Sequence, residues 1–170
     1  MTSQKSILKL RLINTGIFAL LLCIQYSGIF NIKIMNANPL ISLALLVAIC
    51  MFCSELTAAL SGVILGVFMD TVTATPPAFN AIVLLVIGLA VALIVRHLFN
   101  NNIFSAIALC AMCSTAYYIL RWLLEFAFLS SLSENLIYLL QTALPSIIYT
   151  SIFIVPFYFL EKKLYKKFYK

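Results

Sequence analysis

The sequence predicts an all-α polytopic membrane protein, with six transmembrane helices in one bundle. Three observations carry that prediction. The 170 residues are 64% hydrophobic and only 9% charged, with a mean hydropathy of +1.12, whereas soluble domains run at roughly half apolar and a quarter charged. Six apolar runs approach the roughly 20 residues that a span requires. Of the eleven basic residues, five fall in the last ten positions and three in the first eleven, as in membrane-flanking tails. The net charge of +6 therefore points to a membrane surface and not to nucleic acid. The chain reads as a single domain, 1–170, whose positions 161–170 form a basic cytoplasmic tail.

The first span is expected at about 12–30, behind Lys5, Lys9 and Arg11. It reaches Gln25 and Tyr26 without a small-x-small cleavage site, so it reads as a retained helix that also directs insertion. The remaining spans are expected at about 39–53, which is short, then 56–75, 79–95, 103–128 and 136–160. Turn chemistry separates them: "NANP" at 36–39, "TPP" at 75–77, "NNN" at 100–102 and "SSLSEN" at 130–135. Between the second and third spans only Ser54 and Glu55 mark the break. With both termini cytoplasmic, nine basic residues lie inside, and Lys33 alone is in an outer loop, in line with the positive-inside rule.

Asp70 is the polar residue that most needs explaining. Gly62, Gly66 and Asp70 recur every four residues, so they share a helix face that Ala58 and Ala59 extend. Small-xxx-small faces let helices approach backbone to backbone. A carboxylate at membrane depth must pair, take a proton or face water. It serves either a packing seam with a polar cap or an ion or substrate site. The acid is expected about two thirds of the way to the outer surface, with Pro76-Pro77 forming the outer turn and Asn80 placed to reach back to it. Arg121 and Glu125, four apart in the fifth span, can pair on one face. Arg121 is also a candidate partner for Asp70, or both anchor the interface beside Tyr117, Tyr118 and Trp122 as an aromatic belt.

Two CxxC pairs, Cys50/Cys53 and Cys110/Cys113, would suggest zinc in a soluble protein, but in apolar helices the same spacing serves packing. No metal and no cofactor is expected. His97 follows Arg96 as a surface loop residue. Pro145 and Pro156 are each expected to free a backbone carbonyl in the sixth span, through a kink or a broken-helix ion site. Lys162, Lys163, Lys166 and Lys167, interleaved with Leu164, Tyr165 and Phe168, suit contact with anionic lipid or a cytoplasmic protein. Enzyme classes are poorly served. There is one deep acid where an intramembrane aspartyl protease needs two, no HExxH, no acidic repeat for Mg²⁺, no P-loop, and no histidine at a depth to activate a serine. The expectation is a protein that is not an enzyme.

The pattern Gly62-x3-Gly66-x3-Asp70-x5-Pro76-x3-Asn80-Ala81 resembles the signature region of the MreD family, the bacterial rod shape-determining membrane proteins. Asn38-Pro39, the run Arg96 to Asn102, and Pro145, Tyr149 and Pro156 before a lysine-rich end are also similar to that family. The chain departs from it at Ala74 and Ala78, where glycine is usual, and at Ser54-Glu55, where a basic turn is common. The resemblance implies a non-enzymatic scaffold of the cell-elongation machinery in the bacterial plasma membrane. Such a scaffold binds MreC and links the peptidoglycan glycosyltransferase–transpeptidase pair to the MreB cytoskeleton. It also implies a fold similar to the substrate-binding subunits of energy-coupling-factor vitamin transporters. A subunit of such a transporter is the alternative reading, and it would require an outward pocket with convergent polar groups.

Overall fold

A computed structural model describes residues 40–73, 76, 78–97, 101–128 and 143–168, with side chains as far as 124 in the fourth helix and 166 in the fifth. These residues form five helices: α1 (Ile41–Cys50), α2 (Glu55–Val72), α3 (Phe79–His97), α4 (Ile103–Phe128) and α5 (Leu144–Phe168). Helices α2 to α5 are each long and apolar enough to cross a membrane. The described part of the protein is thus helical and transmembrane in character. The expected span at 12–30 and the start of the one at 136–160 lie outside the described residues.

The second expected span, 39–53, is helical over only ten residues. At 1.5 Å per residue that is about 15 Å, roughly half a bilayer core. Every residue of α1 is buried, and α2, α3, α4 and α5 all pack on it. A helix that is apolar on all sides has no face to give to water, so it becomes the core. Its ends are tied to distant helices. The Leu40 N–H donates to Thr150 Oγ1 of α5 at 3.1 Å, and the Met51 carbonyl accepts from Asn101 Nδ2 at 2.8 Å. Those bonds satisfy backbone groups that a helix end otherwise leaves open.

The short link from α1 to α2 holds because Ser54 adopts extended backbone and Glu55 opens α2. The Thr57 hydroxyl donates to the Ser54 carbonyl at 2.7 Å, and an acid in the first turn complements the helix dipole. Phe52 in that link stacks between Tyr158 and Tyr165 of α5, with ring centroids 5.3 and 5.6 Å away.

Helices α2 and α3 form the most extensive helix pair. Thr57, Ala58, Ser61, Gly62, Leu65, Gly66 and Met69 are the buried stripe of α2. Asn80, Ala81, Leu84, Ile87, Gly88 and Val91 lie on the buried face of α3. Both stripes step by three and four residues, the period of one helix face. The opposite faces are apolar as well: Leu56 of α2 and Ile82 of α3 are more than 60% exposed, and on α4 Phe104 is 83% exposed. In water such a surface would drive association, while against acyl chains it is well solvated.

Three expectations about individual residues change. Tyr117 and Tyr118 are buried, not displayed in an interfacial belt; the physical reason is that the Tyr117 hydroxyl has a partner inside the bundle. Pro145 is the second residue of α5, where the missing N–H has no intrahelical role, so only Pro156 interrupts the helix interior. His97 is the exposed last residue of α3 and not a loop residue.

Candidate functional site

The α2–α3 hairpin is fastened at three levels, and the expected site residues lie along it. In the middle, the glycines remove side chains where backbones meet. A Cβ on Gly62 would stand 2.8 Å from the Leu84 carbonyl carbon, and one on Gly66 2.6 Å from both the Ala81 nitrogen and the Asn80 oxygen. From the other side, a Cβ on Gly88 would stand 2.8 Å from the Ala58 oxygen. The neighbour that Gly62 and Gly66 seat is therefore α3.

At one end sits Asp70, two residues before α2 stops at Val72. This is nearer the helix end than the expected limit of 75, because Thr73 is already extended ahead of Pro76 and Pro77. A carboxylate in the last turn of its own helix faces the negative end of the dipole. Asp70 instead reaches the start of α3. Its Oδ1 accepts from the Asn80 backbone N–H at 3.0 Å and from Asn80 Nδ2 at 2.9 Å, and its Oδ2 accepts from the Ala81 N–H at 3.1 Å.

The preceding residue, Ala78, explains why. Its carbonyl accepts the first helical bond of α3, from the Ile82 N–H, so Ala78 occupies the N-cap position. An alanine has no oxygen for the second and third N–H groups of the helix, which an N-cap side chain normally satisfies. Asn80 and Ala81 carry those groups, and Asp70 supplies the oxygens from the neighbouring helix. Pro76 completes the turn, its carbonyl accepting from the Phe79 N–H at 3.2 Å.

Asn80 extends this cap into a network. It is fully buried; its Nδ2 also donates to Thr73 Oγ1 at 3.0 Å, and its Oδ1 accepts from the Tyr117 hydroxyl of α4 at 2.6 Å. Arg121, one turn beyond Tyr117, lies within electrostatic reach of that hydroxyl, as does Asp70. Arg121 and Glu125 both lie on α4; the Glu125 side chain lies outside the described residues. Thr73 is a member of the network that the sequence did not point to, and Tyr117 was expected in an interfacial belt and not in this network. The available signal was a capless Ala78 beside a buried amide whose oxygen needed a donor.

At the opposite end, Glu55 in the first turn of α2 pairs with Arg96 in the last turn of α3. Each charge also complements its own helix terminus. Lys162, Lys163 and Lys166 are exposed on the final turns of α5 at this same end. Lys167 lies in α5, with its side chain outside the described residues.

Cys50, Cys53, Cys110 and Cys113 are free thiols, and among the described residues no three metal-ligating side chains converge. Cys50 Sγ leans 3.5 Å from the Gly88 carbonyl, as a small packing residue would. Cys23 lies outside the described residues.

No protein-family model matches the chain, and neither a curated protein nor a solved structure is found to match it.

Proposed function

We propose that this protein is a non-enzymatic membrane scaffold. It would serve, as the likeness of Gly62, Gly66, Asp70, Pro76 and Asn80 to the MreD signature implies, in the elongation machinery of a bacterial plasma membrane. In that role it binds MreC and links a peptidoglycan glycosyltransferase–transpeptidase pair to MreB, with its six spans placing both termini in the cytoplasm. What supports the reading is the use made of Asp70. A carboxylate offers roughly four lone-pair sites, and three donors from Asn80 and Ala81 already occupy it. Those bonds rigidify a hairpin and leave the acid poorly placed for proton transfer or for a substrate. The outward faces of α2 to α5 are apolar and can seat a single-span partner by packing.

Affinity purification from a gentle detergent tests this reading. MreC and the wall synthases are expected to accompany the protein. Recovery of a transporter ATPase module, or of a tightly held vitamin, would overturn it in favour of a substrate-binding transporter subunit. Orientation is read separately by a C-terminal fluorescent fusion that matures only in the cytoplasm; a dark fusion contradicts the assigned topology.

A further inference from the structure

A cleft of about 660 Å³ opens at the Glu55–Arg96 end of the bundle. Its volume falls within the range of small-molecule sites, roughly 300–1,000 Å³. Ser54, Glu55, Arg96, Asn101 and Tyr165 give it a polar side, while Met51, Phe52, Ala92 and Val95 give it an apolar one. The ends of all five helices converge there: α1 and α3 finish, α2 and α4 begin, and the last turns of α5 bring Tyr165. Two hydrogen bonds order the wall. Asn101 ties Met51, and the Tyr158 hydroxyl donates to the Asn101 carbonyl at 3.1 Å.

The electrostatic setting is cationic. The Arg96 side chain is 67% exposed although it contacts Glu55 through Nη1. A guanidinium has five N–H donors in a planar fork, so one contact leaves capacity for a second anion. Lys162 lies 5.6 Å from the ring centroid of Tyr158, and Lys166 directly follows Tyr165 on α5. A free phosphate would need only the polar side. Four apolar residues beside a guanidinium suit a molecule that carries an anionic head and a hydrocarbon chain, and basic pockets between membrane helices bind such head groups.

The geometry points to this cleft as a binding site for an anionic phospholipid. Its phosphate meets Arg96, Tyr165 and Asn101, and the first part of its acyl chain lies against Met51, Phe52 and Val95. Glu55 competes with the phosphate for Arg96. This inference is independent of the scaffold reading, because it uses only the cleft and the charges around it.

The test uses the full-length protein in neutral detergent. Retained lipid is measured by native mass spectrometry, and unfolding temperature is measured with added phosphatidylglycerol, phosphatidylcholine or inorganic phosphate. Phosphatidylglycerol is expected to be retained and to raise the unfolding temperature, and the other two are not. R96Q should weaken phosphatidylglycerol retention about tenfold, the scale of one lost charge-assisted contact. E55Q should strengthen it, by releasing the guanidinium. If the Glu55–Arg96 pair were only structural, both substitutions would shift retention in the same direction, and the proposal would fall. Equal retention of phosphatidylcholine, or equal protection by inorganic phosphate, also overturns it. The expected gain in E55Q cannot come from loss of fold and so guards the reading of R96Q, and the tail variant K162Q/K166Q, which thins the surrounding charge without touching the guanidinium, should weaken retention less than R96Q does. Loss of binding in the tail variant with full binding in R96Q would place the lipid on the tail and refute the cleft.

Discussion

Ala78 holds a φ of 65°, in the left-handed region that costs an alanine about 1–2 kcal/mol and a glycine little. Glycine adopts that conformation without a Cβ penalty, so the strain has a simple cure. A78G should stabilise the protein by about 1 kcal/mol, read as a higher unfolding temperature; a fall would mean that the turn does not need the left-handed conformation. Asp70 carries the larger stake. D70A removes the oxygens that cap the Asn80 and Ala81 N–H groups at the start of α3 and should cost about 2–3 kcal/mol, the scale of losing a helix cap and leaving buried donors open. D70N, with one acceptor oxygen left, should fall between D70A and the parent in denaturant titrations. Y117F deprives the buried Asn80 Oδ1 of its 2.6 Å donor and should cost about 1–2 kcal/mol.

Among elements, the α2–α3 hairpin depends on contact between backbones. Acyl chains are as apolar as leucine, so helices gain little by hiding apolar surface from lipid, and close packing has to supply the attraction. A leucine at Gly66 would collide with the Ala81 nitrogen and the Asn80 carbonyl, and it would also pull Asp70 away from its cap. G66L should therefore cost more than D70A and broaden the gel-filtration peak in detergent. A G66L protein as stable as the parent would disprove the seam. Much of this hairpin was legible in the sequence. The four-residue spacing of Gly62, Gly66 and Asp70 fixes a shared face, and the short turn brings Asn80 back beside the acid. Tyr117 was not legible, because it lies 37 positions from Asn80 and its position depends on how α4 crosses the hairpin. Next to Tyr118 and Trp122 it has the composition of an interfacial belt, and composition alone does not distinguish a ring facing head groups from one facing a buried amide.

Over the whole molecule, α1 sets the packing. Its length and not its hydropathy separates it from a span; the sequence marked the segment at 39–53 as short, and its helix is shorter still, Ile41–Cys50. Leu46 is fully buried. L46A should destabilise by about 1–2 kcal/mol, below the 2–5 kcal/mol usual in soluble cores, because the lost term is contact and not transfer from water. Chemical denaturation of parent and variant in the same detergent checks the value. A loss near 5 kcal/mol would indicate that α1 is shielded from water and not from lipid.

The fastenings of the α2–α3 hairpin have a consequence for how the protein is made. Glycine contacts, the Asp70 cap and the Glu55–Arg96 pair all fall between positions 55 and 97. As a growing chain enters the bilayer, this segment meets the partners of these three fastenings before α4 is synthesised, and Tyr117 of α4 adds its bond to Asn80 afterwards. Contacts of short sequence separation form early, so the hairpin can enter the membrane as a closed unit. The ten buried residues of α1, synthesised earlier, then gain one side of their enclosure, and they wait for α4 and α5 to supply the rest.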